Sequence, residues 1–224
     1  MITLLNNKLF VLFLAPFMLG AITIFGFAPY NLTFINFFTF SILLFLILKI
    51  KKQTQSKYRK KKSNRYFFYL GCAFGFGFFL LGNYWISISL THDEMFKGLI
   101  PFALILIPLF LSLFFGLAIF LVGAFAEKNI SFILFFSFVF SIFEFLRGNL
   151  LTGFPWNLIS YTWTWSIETI QILSKIGSYS LSLINLLIQH DSFFRKILIW
   201  LRKSYQNRSA GGISDKHGQR NHEH

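Results

Sequence analysis

The chain has 224 residues, of which 55% are hydrophobic, 21% aromatic and only 13% charged, and its mean hydropathy is +0.60. Soluble globular domains carry about 25% charged residues, so this composition excludes an ordinary soluble fold. The formal net charge of +13 does not indicate a nucleic-acid partner, because the basic residues form blocks between or after apolar runs, as in membrane proteins.

Two membrane spans are predicted in the uncharged segment 9–48, which is long enough for two helices of about 20 residues each. Segment 28–31 (Ala-Pro-Tyr-Asn) supplies the turn between them. We interpret the first run as a retained anchor, since it lacks a small-residue cleavage site and leads straight into the second span. Segment 49–65 then holds nine Lys and Arg residues and no acid, so the positive-inside rule places it in the cytoplasm.

Four further spans are predicted downstream. The third contains Gly71 and Gly75, a pair at the spacing that lets helix backbones approach closely. The sixth contains Lys175, whose long side chain can reach the membrane surface. The six predicted spans are about 9–27, 32–48, 66–88, 99–124, 130–146 and 170–189.

These elements predict an all-α integral membrane protein, a bundle of about six transmembrane helices with a cytoplasmic N-terminus. Residues 1–190 form the polytopic membrane domain in this interpretation. Alternation of the spans places the turns at 28–31, 84–97 and 147–167 on the outer side. Residues 191–224 are predicted to be a basic, disordered cytoplasmic tail, because Phe and Leu are absent after position 201 and the remainder cannot build a core.

Charge, turn residues and an amphipathic aromatic side chain converge in segment 144–156, Glu-Phe-Leu-Arg-Gly-Asn-Leu-Leu-Thr-Gly-Phe-Pro-Trp. Glu144 and Arg147 are three residues apart, so on a helix they share one face and are predicted to pair. The glycines and Pro155 that follow break the helix, and Trp156 ends the turn. We therefore select these four side chains as candidate site residues.

A second polar and aromatic segment lies at the exit of the third span, where Asn83 and Trp85 are weaker candidates. Together with segment 27–30 (Phe-Ala-Pro-Tyr), the motifs in 144–156 and segment 176–185, it resembles the N-terminal membrane region of bacterial apolipoprotein N-acyltransferase. The resemblance covers nearly the whole predicted membrane domain. Its most specific part is Glu-Phe-Leu-Arg-Gly followed by Thr-Gly-Phe-Pro-Trp.

The resemblance implies a multi-pass enzyme of the bacterial inner membrane. Such an enzyme takes an acyl chain from a phospholipid and places it on the α-amine of the lipid-modified N-terminal cysteine of an apolipoprotein, the last step of lipoprotein maturation. In this family the reaction passes through a thioester on a cysteine that is served by a glutamate and a lysine of a nitrilase-like domain. We expect that domain to be missing from a truncated chain that is inactive alone, and Cys72 does not match the nucleophile, so no catalytic residue is assigned.

The family motif makes Trp156 and Pro155 candidate lipid-side or substrate-side residues, because a Trp on a Pro-fixed turn forms a rigid amphipathic wall at headgroup level. An ordinary interfacial tryptophan is the alternative. Glu144 and Arg147 either hold the turn or bind a phospholipid headgroup.

No cofactor and no metal are predicted, since a single cysteine and one histidine beside two acids offer too few ligands. The expected partners are membrane phospholipid and, where a catalytic domain is supplied, an apolipoprotein. Two alternatives to a truncated acyltransferase stay open. One is a non-enzymatic membrane scaffold, and the other is the membrane half of a split acyltransferase.

Overall fold

The computed structural model describes residues 7–54, 60–125, 130–150 and 153–188, and over these residues the chain forms helices and turns with no strand. Long runs of Phe, Leu and Ile fold as helices because only a helix satisfies every backbone polar group of a segment inside lipid. The main helices of the described part are α1 (Phe10–Gly26), α2 (Phe34–Thr54), α3 (Lys60–Gly82), α4 (Tyr84–Ser89), α5 (Ile100–Phe125), α6 (Ile130–Asn149), α7 (Ile167–Ile176) and α8 (Ser178–Ile188). Short 3₁₀ helices lie at Leu90–His92, Glu94–Leu99 and Ile159–Trp163.

Within these ranges, four helices are long and apolar enough to cross a membrane. The crossing segments are Phe34–Lys52, Asn64–Gly82, Glu94–Phe125 and Phe132–Asn149. The predicted all-α membrane fold is thereby confirmed. Helices α1 and α8 are apolar but shorter, so the prediction that they also cross the membrane, giving about six spans, stays a prediction.

The chain predicted as a sixth span, about 170–189, is divided into two helices. Helix α7 ends at Ile176, Gly177 adopts a φ of 81°, and α8 begins at Ser178. Glycine reaches positive φ without the steric penalty of a side chain, which explains the break at this position. Helix α7 has no buried residue, whereas α8 contributes Leu186 to the core, so α8 alone packs into the bundle.

The predicted cytoplasmic loop 49–65 is partly helical, because α2 continues to Thr54 and α3 already begins at Lys60. Lys and Arg are good helix formers, so the basic residues extend both helices beyond their apolar parts. The Lys51 ammonium donates to the carbonyl of Ala124 at 3.3 Å and satisfies one of the last carbonyls of α5. The predicted tail, 191–224, lies outside the described residues.

The core is built around α3, which packs against α1 on one side and α5 on the other. Phe40, Phe74, Phe115 and Phe140 come from α2, α3, α5 and α6, and their rings form a closed cluster. Successive ring centroids are 5.7, 6.0, 4.6 and 5.7 Å apart. Aromatic pairs at such distances contribute about 0.5–1.5 kcal/mol each beyond area burial, so this cluster ties four helices together.

Glycines on α3 let α5 pack closely against it. A Cβ on Gly71 would lie 2.6 Å from the carbonyl oxygen of Phe115 on α5, and a Cβ on Gly75 would lie 3.0 Å from the Cα of Ser112. The predicted close approach at this glycine pair is therefore confirmed.

One end of the bundle gathers the turn between α1 and α2, the end of α3, and the segment after α6. The Thr33 hydroxyl donates to the carbonyl of Thr162 at 2.6 Å and accepts from the Trp165 indole at 2.8 Å. Asn157 donates to Asn83 across the same end at 2.9 Å. These long-range bonds position the candidate site.

Candidate functional site

The candidate site begins where α6 ends. The helix stops at Asn149, and Gly153 adopts a φ of 68° that turns the chain back over the last helical turn. The Phe154 amide then donates to the carbonyl of Arg147 at 2.9 Å. Pro155 and Trp156 lie at the exposed tip of this returning segment.

Arg147 holds the returning segment from the buried side. Its side chain is 1% exposed, and its Nη1 donates to the carbonyl oxygens of Phe154 and Trp156 at 2.8 and 2.7 Å. The guanidinium also lies 5.0 Å from the centroid of the Phe79 ring. Hydrogen bonds from a charged donor contribute about 1.5–3 kcal/mol each, so Arg147 is the principal support of the exposed tip.

Glu144 fixes the chain that follows the tip. Its carboxyl is fully buried, and Oε1 accepts from the amide of Ile159 at 2.9 Å. The next amide, that of Ser160, donates to the Ser182 hydroxyl on α8 at 3.0 Å. Two carbonyl groups of the segment thus bind the Arg147 guanidinium, one amide binds the Glu144 carboxyl, and the next amide binds the Ser182 hydroxyl.

The predicted direct pair between Glu144 and Arg147 is wrong. Both side chains lie at the same end of α6, but among the described residues the ion pair within 4.0 Å is Lys97–Glu94, and these two form none. Each of them binds backbone groups of the returning segment instead. The physical reason is that the buried carbonyls and amides of the turn need partners that no regular structure supplies.

Trp156 packs against Trp85 at the surface of the site. The two indole rings meet edge to face with centroids 5.6 Å apart, while the side chains remain 54% and 40% exposed. Asn157 follows with a φ of 55°, and its side-chain amide donates to Asn83 Oδ1 at 2.9 Å. Asparagine is enriched among non-glycine residues at positive φ, so it suits this position. Two tryptophans therefore form a fixed, exposed aromatic surface.

The structure brings all six residues selected from the sequence into one region, with Glu144, Arg147 and Asn83 below and Trp85, Pro155 and Trp156 at the surface. Whether they contact lipid or substrate stays a prediction. Sequence reasoning missed three residues that complete the site. These are Asn157, Ser160 and Ser182. A usable signal existed for Ser182, because a polar residue within an apolar helix predicts a buried partner.

Two tyrosines stand beside the buried guanidinium. Tyr179 of α8 packs its ring on Phe145 at a centroid distance of 5.3 Å, and its hydroxyl lies against Gly148. Burial raises the pKa of Tyr161, the nearby Tyr179 and Glu144 raise it further, and the Arg147 guanidinium offsets part of this rise.

Replacing Gly148 by alanine tests this contact. A Cβ there would overlap the Tyr179 hydroxyl, so we expect Gly148→Ala to destabilise the protein by about 1–3 kcal/mol, as overpacking does. The double variant with Tyr179→Phe should recover most of that loss, because the next atom of the ring is 3.1 Å away. Thermal unfolding in detergent micelles measures both effects, with Tyr179→Phe alone as the control. Equal destabilisation with Tyr or Phe at position 179 would contradict the contact.

The buried charged groups of the described site hold backbone, since Arg147 and Glu144 both bind groups of the returning segment. Cys72 lies in the α3–α5 contact beside Gly116, away from the end of the bundle that carries Trp156. Within the ranges that the structure covers, no group of three or more His, Cys, Asp and Glu side chains is placed to hold a metal ion. The site offers a rigid aromatic surface above a buried polar support.

Comparison with known proteins gives one consistent result. Residues 19–190 match the family model described as the apolipoprotein N-acyltransferase N-terminal domain. The chain is 37% identical over 158 residues to the apolipoprotein N-acyltransferase of Rickettsia prowazekii, covering 70% of this chain and 29% of that protein. It is 36% identical over 198 residues to the enzyme of Rickettsia typhi, covering 84% and 37%. The Rhodopseudomonas palustris enzyme is 34% identical over 170 residues, covering 75% and 31%. The aligned parts thus span about a third of the length of these relatives.

Proposed function

Because this chain belongs to the family of apolipoprotein N-acyltransferase N-terminal domains, we propose that it forms the membrane-embedded part of a phospholipid:apolipoprotein N-acyltransferase. In this proposal the donor is a membrane phospholipid. The acceptor is the α-amine of the lipid-modified N-terminal cysteine of an apolipoprotein. The bond-making residues belong to the catalytic domain that the family resemblance implies, and this chain supplies the surface along which the lipid substrates approach it.

The observation that carries the proposal is the clamp of Arg147 on the carbonyls of Phe154 and Trp156. An exposed tryptophan needs no such support if it only sits at the membrane surface, because that role tolerates many orientations. Here a buried cation and an edge-to-face contact with Trp85 fix the indole of Trp156 in one place. A fixed indole with an apolar face and a polar edge can align an acyl chain and a headgroup together.

Location in the bacterial inner membrane, with the tip of Trp156 on its outer side, is part of the same proposal. Membrane location itself follows from the family and from the four apolar helices of the described part. The basic segment 49–65 supports the orientation through the positive-inside rule, since its described residues, 49–54 and 60–65, lie at the opposite end of α2 and α3 from Asn83.

A chimera tests the proposal. The matching N-terminal region of the Rickettsia typhi enzyme is replaced by residues 19–188 of this chain, in cells depleted of their own N-acyltransferase. Mass spectrometry of a reporter lipoprotein then counts the acyl chains on its N-terminal cysteine. We expect a third acyl chain with the chimera. A correctly inserted and folded chimera that leaves the reporter with two acyl chains would overturn the proposal.

Trp156→Ala in this chimera should lower the acylation rate by about tenfold or more, since a fixed aromatic anchor contributes roughly 2 kcal/mol. Trp156→Phe should keep part of the rate because it retains the apolar face. The matched control is Tyr30→Ala, which removes another exposed aromatic side chain, 58% exposed, from the same end of the bundle. Equal rates for Trp156→Ala and Tyr30→Ala would identify Trp156 as an ordinary interfacial tryptophan.

A further inference from the structure

A column of polar side chains runs inward from the candidate site between α6 and α8. Glu144, Ser141 and Ser137 are spaced three and four residues apart, so they share one face of α6. Ser182 and Asn185 share one face of α8 in the same way. All five are at most 8% exposed. Burial of polar groups in an apolar bundle is unfavourable unless they are hydrogen-bonded.

The contacts at the outer end establish how the two helices are aligned. The Tyr179 ring of α8 packs on Phe145 of α6. Next to this contact, Glu144 of α6 accepts from the amide of Ile159, and Ser182 of α8 accepts from the following amide, that of Ser160. The end of α6 and the start of α8 therefore meet. Since Leu186, near the other end of α8, is buried in the same core as Phe136 of α6, the two helices run antiparallel.

Helical spacing from these contacts, three residues further inward along each helix, puts Ser141 and Asn185 at about the same depth. The two side chains are 8% and 3% exposed, so neither faces lipid. Ser137 lies one more turn inward on the same face of α6 and is fully buried. The column thus extends past the site that holds the Trp156 tip.

Several polar atoms of this column have no hydrogen-bond partner among the described residues. They are Glu144 Oε2, Ser141 Oγ, Asn185 Nδ2 and Ser137 Oγ, and Ser160 Oγ beside the outer end of the column is unpaired in the same way. Each such buried atom, if left unpaired, costs about 1–3 kcal/mol. Apolar neighbours surround the column, since Phe136, Val139 and Phe140 occupy the adjoining positions of α6. A small ligand that both donates and accepts hydrogen bonds would satisfy all of these atoms.

We propose that α6 and α8 enclose a row of bound water molecules that extends from Glu144 inward to Ser137. Water is the ligand that fits, because internal waters make two to four hydrogen bonds to buried donors and acceptors. Seven residues of helix at about 1.5 Å each give the row a length of about 10 Å. That is a third of a hydrocarbon core about 30 Å thick. The row hydrates the free oxygen of Glu144 and so lowers the cost of burying the carboxyl and Arg147 inside the bundle.

Cysteine accessibility tests this row in the full chain. Cys72→Ala removes the only cysteine, and Ser141→Cys or Asn185→Cys then introduces one thiol in the column. The purified protein in detergent micelles is exposed to Ag⁺, and thiols that remain are labelled with a fluorescent maleimide after denaturation. Two single-cysteine controls lie off the polar faces of α6 and α8. Phe138→Cys lies on the outward face of α6, where Phe138 is 56% exposed, and Ala118→Cys lies in a fully buried apolar contact.

We expect both column cysteines to react with Ag⁺ about tenfold faster or more than the two controls, because a thiol ionises only where water reaches it. Adding Asn185→Leu to Ser141→Cys should fill the row and reduce its rate to that of the controls. Unfolding of the variant would instead raise the rate, so the two effects are distinguishable. Rates at positions 141 and 185 no faster than at 118 and 138 would overturn the proposal and leave a dry contact between α6 and α8.

Discussion

Arg147→Ala should destabilise the protein by about 3–5 kcal/mol, the loss typical of removing one partner from a buried charged network. The substitution leaves the carbonyls of Phe154 and Trp156 without their donor and removes the positive charge nearest to the buried Glu144. The midpoint of thermal or denaturant unfolding in detergent micelles measures the effect. Limited proteolysis should also cut the segment around Trp156 in this variant at temperatures where the unchanged protein resists.

Two further variants serve as controls for the stability loss in Arg147→Ala. Arg147→Lys keeps the charge but not the planar fork of donors, so we expect an intermediate loss. Lys97→Ala removes a cation from the exposed pair with Glu94, and exposed pairs contribute only about 0–1 kcal/mol. A change in Arg147→Ala no larger than that in Lys97→Ala would show that the guanidinium does not support the tip.

The membrane fold could be predicted from the sequence because lipid imposes a simple rule on composition. Runs of apolar residues such as the one in α5 must be helical in lipid, since no other segment satisfies its own backbone groups. Helix ends were harder to predict. Lys51 and Lys52 belong to α2 rather than to a loop, because charged residues extend a helix as easily as they end it. The break at Gly177 depends on one backbone angle, which composition does not reveal.

The location of the candidate site could also be predicted, but the partners within it could not. The spacing of Glu144 and Arg147 correctly places both side chains at one end of α6, because helical periodicity is a local property. Their actual partners are backbone groups of Phe154, Trp156 and Ile159, seven to fifteen residues away. Such bonds depend on how an irregular segment folds back, and no periodic pattern encodes that path. The contact between Asn83 and Asn157 spans 74 residues and lies still further beyond local reasoning.

Gly20→Val and Gly77→Val should each destabilise the bundle by about 3 kcal/mol or more, the upper range for overpacking. Helices α1 and α3 touch through these two glycines. A Cβ on Gly20 would overlap the carbonyl oxygen of Phe74, and a Cβ on Gly77 would overlap that of Phe17. Backbone atoms cannot rotate away as side chains do, so the two helices must separate along their whole contact. Loss of folded, monodisperse protein in detergent, measured by size-exclusion fluorescence at increasing temperature, reports this separation.

The matched control for the glycine contact is Gly98→Ala, because a Cβ at Gly98 meets no atom within 4 Å. That variant should unfold within about 0.5 kcal/mol of the unchanged protein, as surface substitutions do. Gly20→Ala should already weaken the bundle measurably, since even a methyl group overlaps a backbone oxygen, and Gly20→Val should weaken it more. If Gly20→Val and Gly77→Val both unfold at the same temperature as Gly98→Ala, helices α1 and α3 cannot be in backbone contact. In that case side-chain contacts, rather than this pair of glycines, would hold α1 against α3.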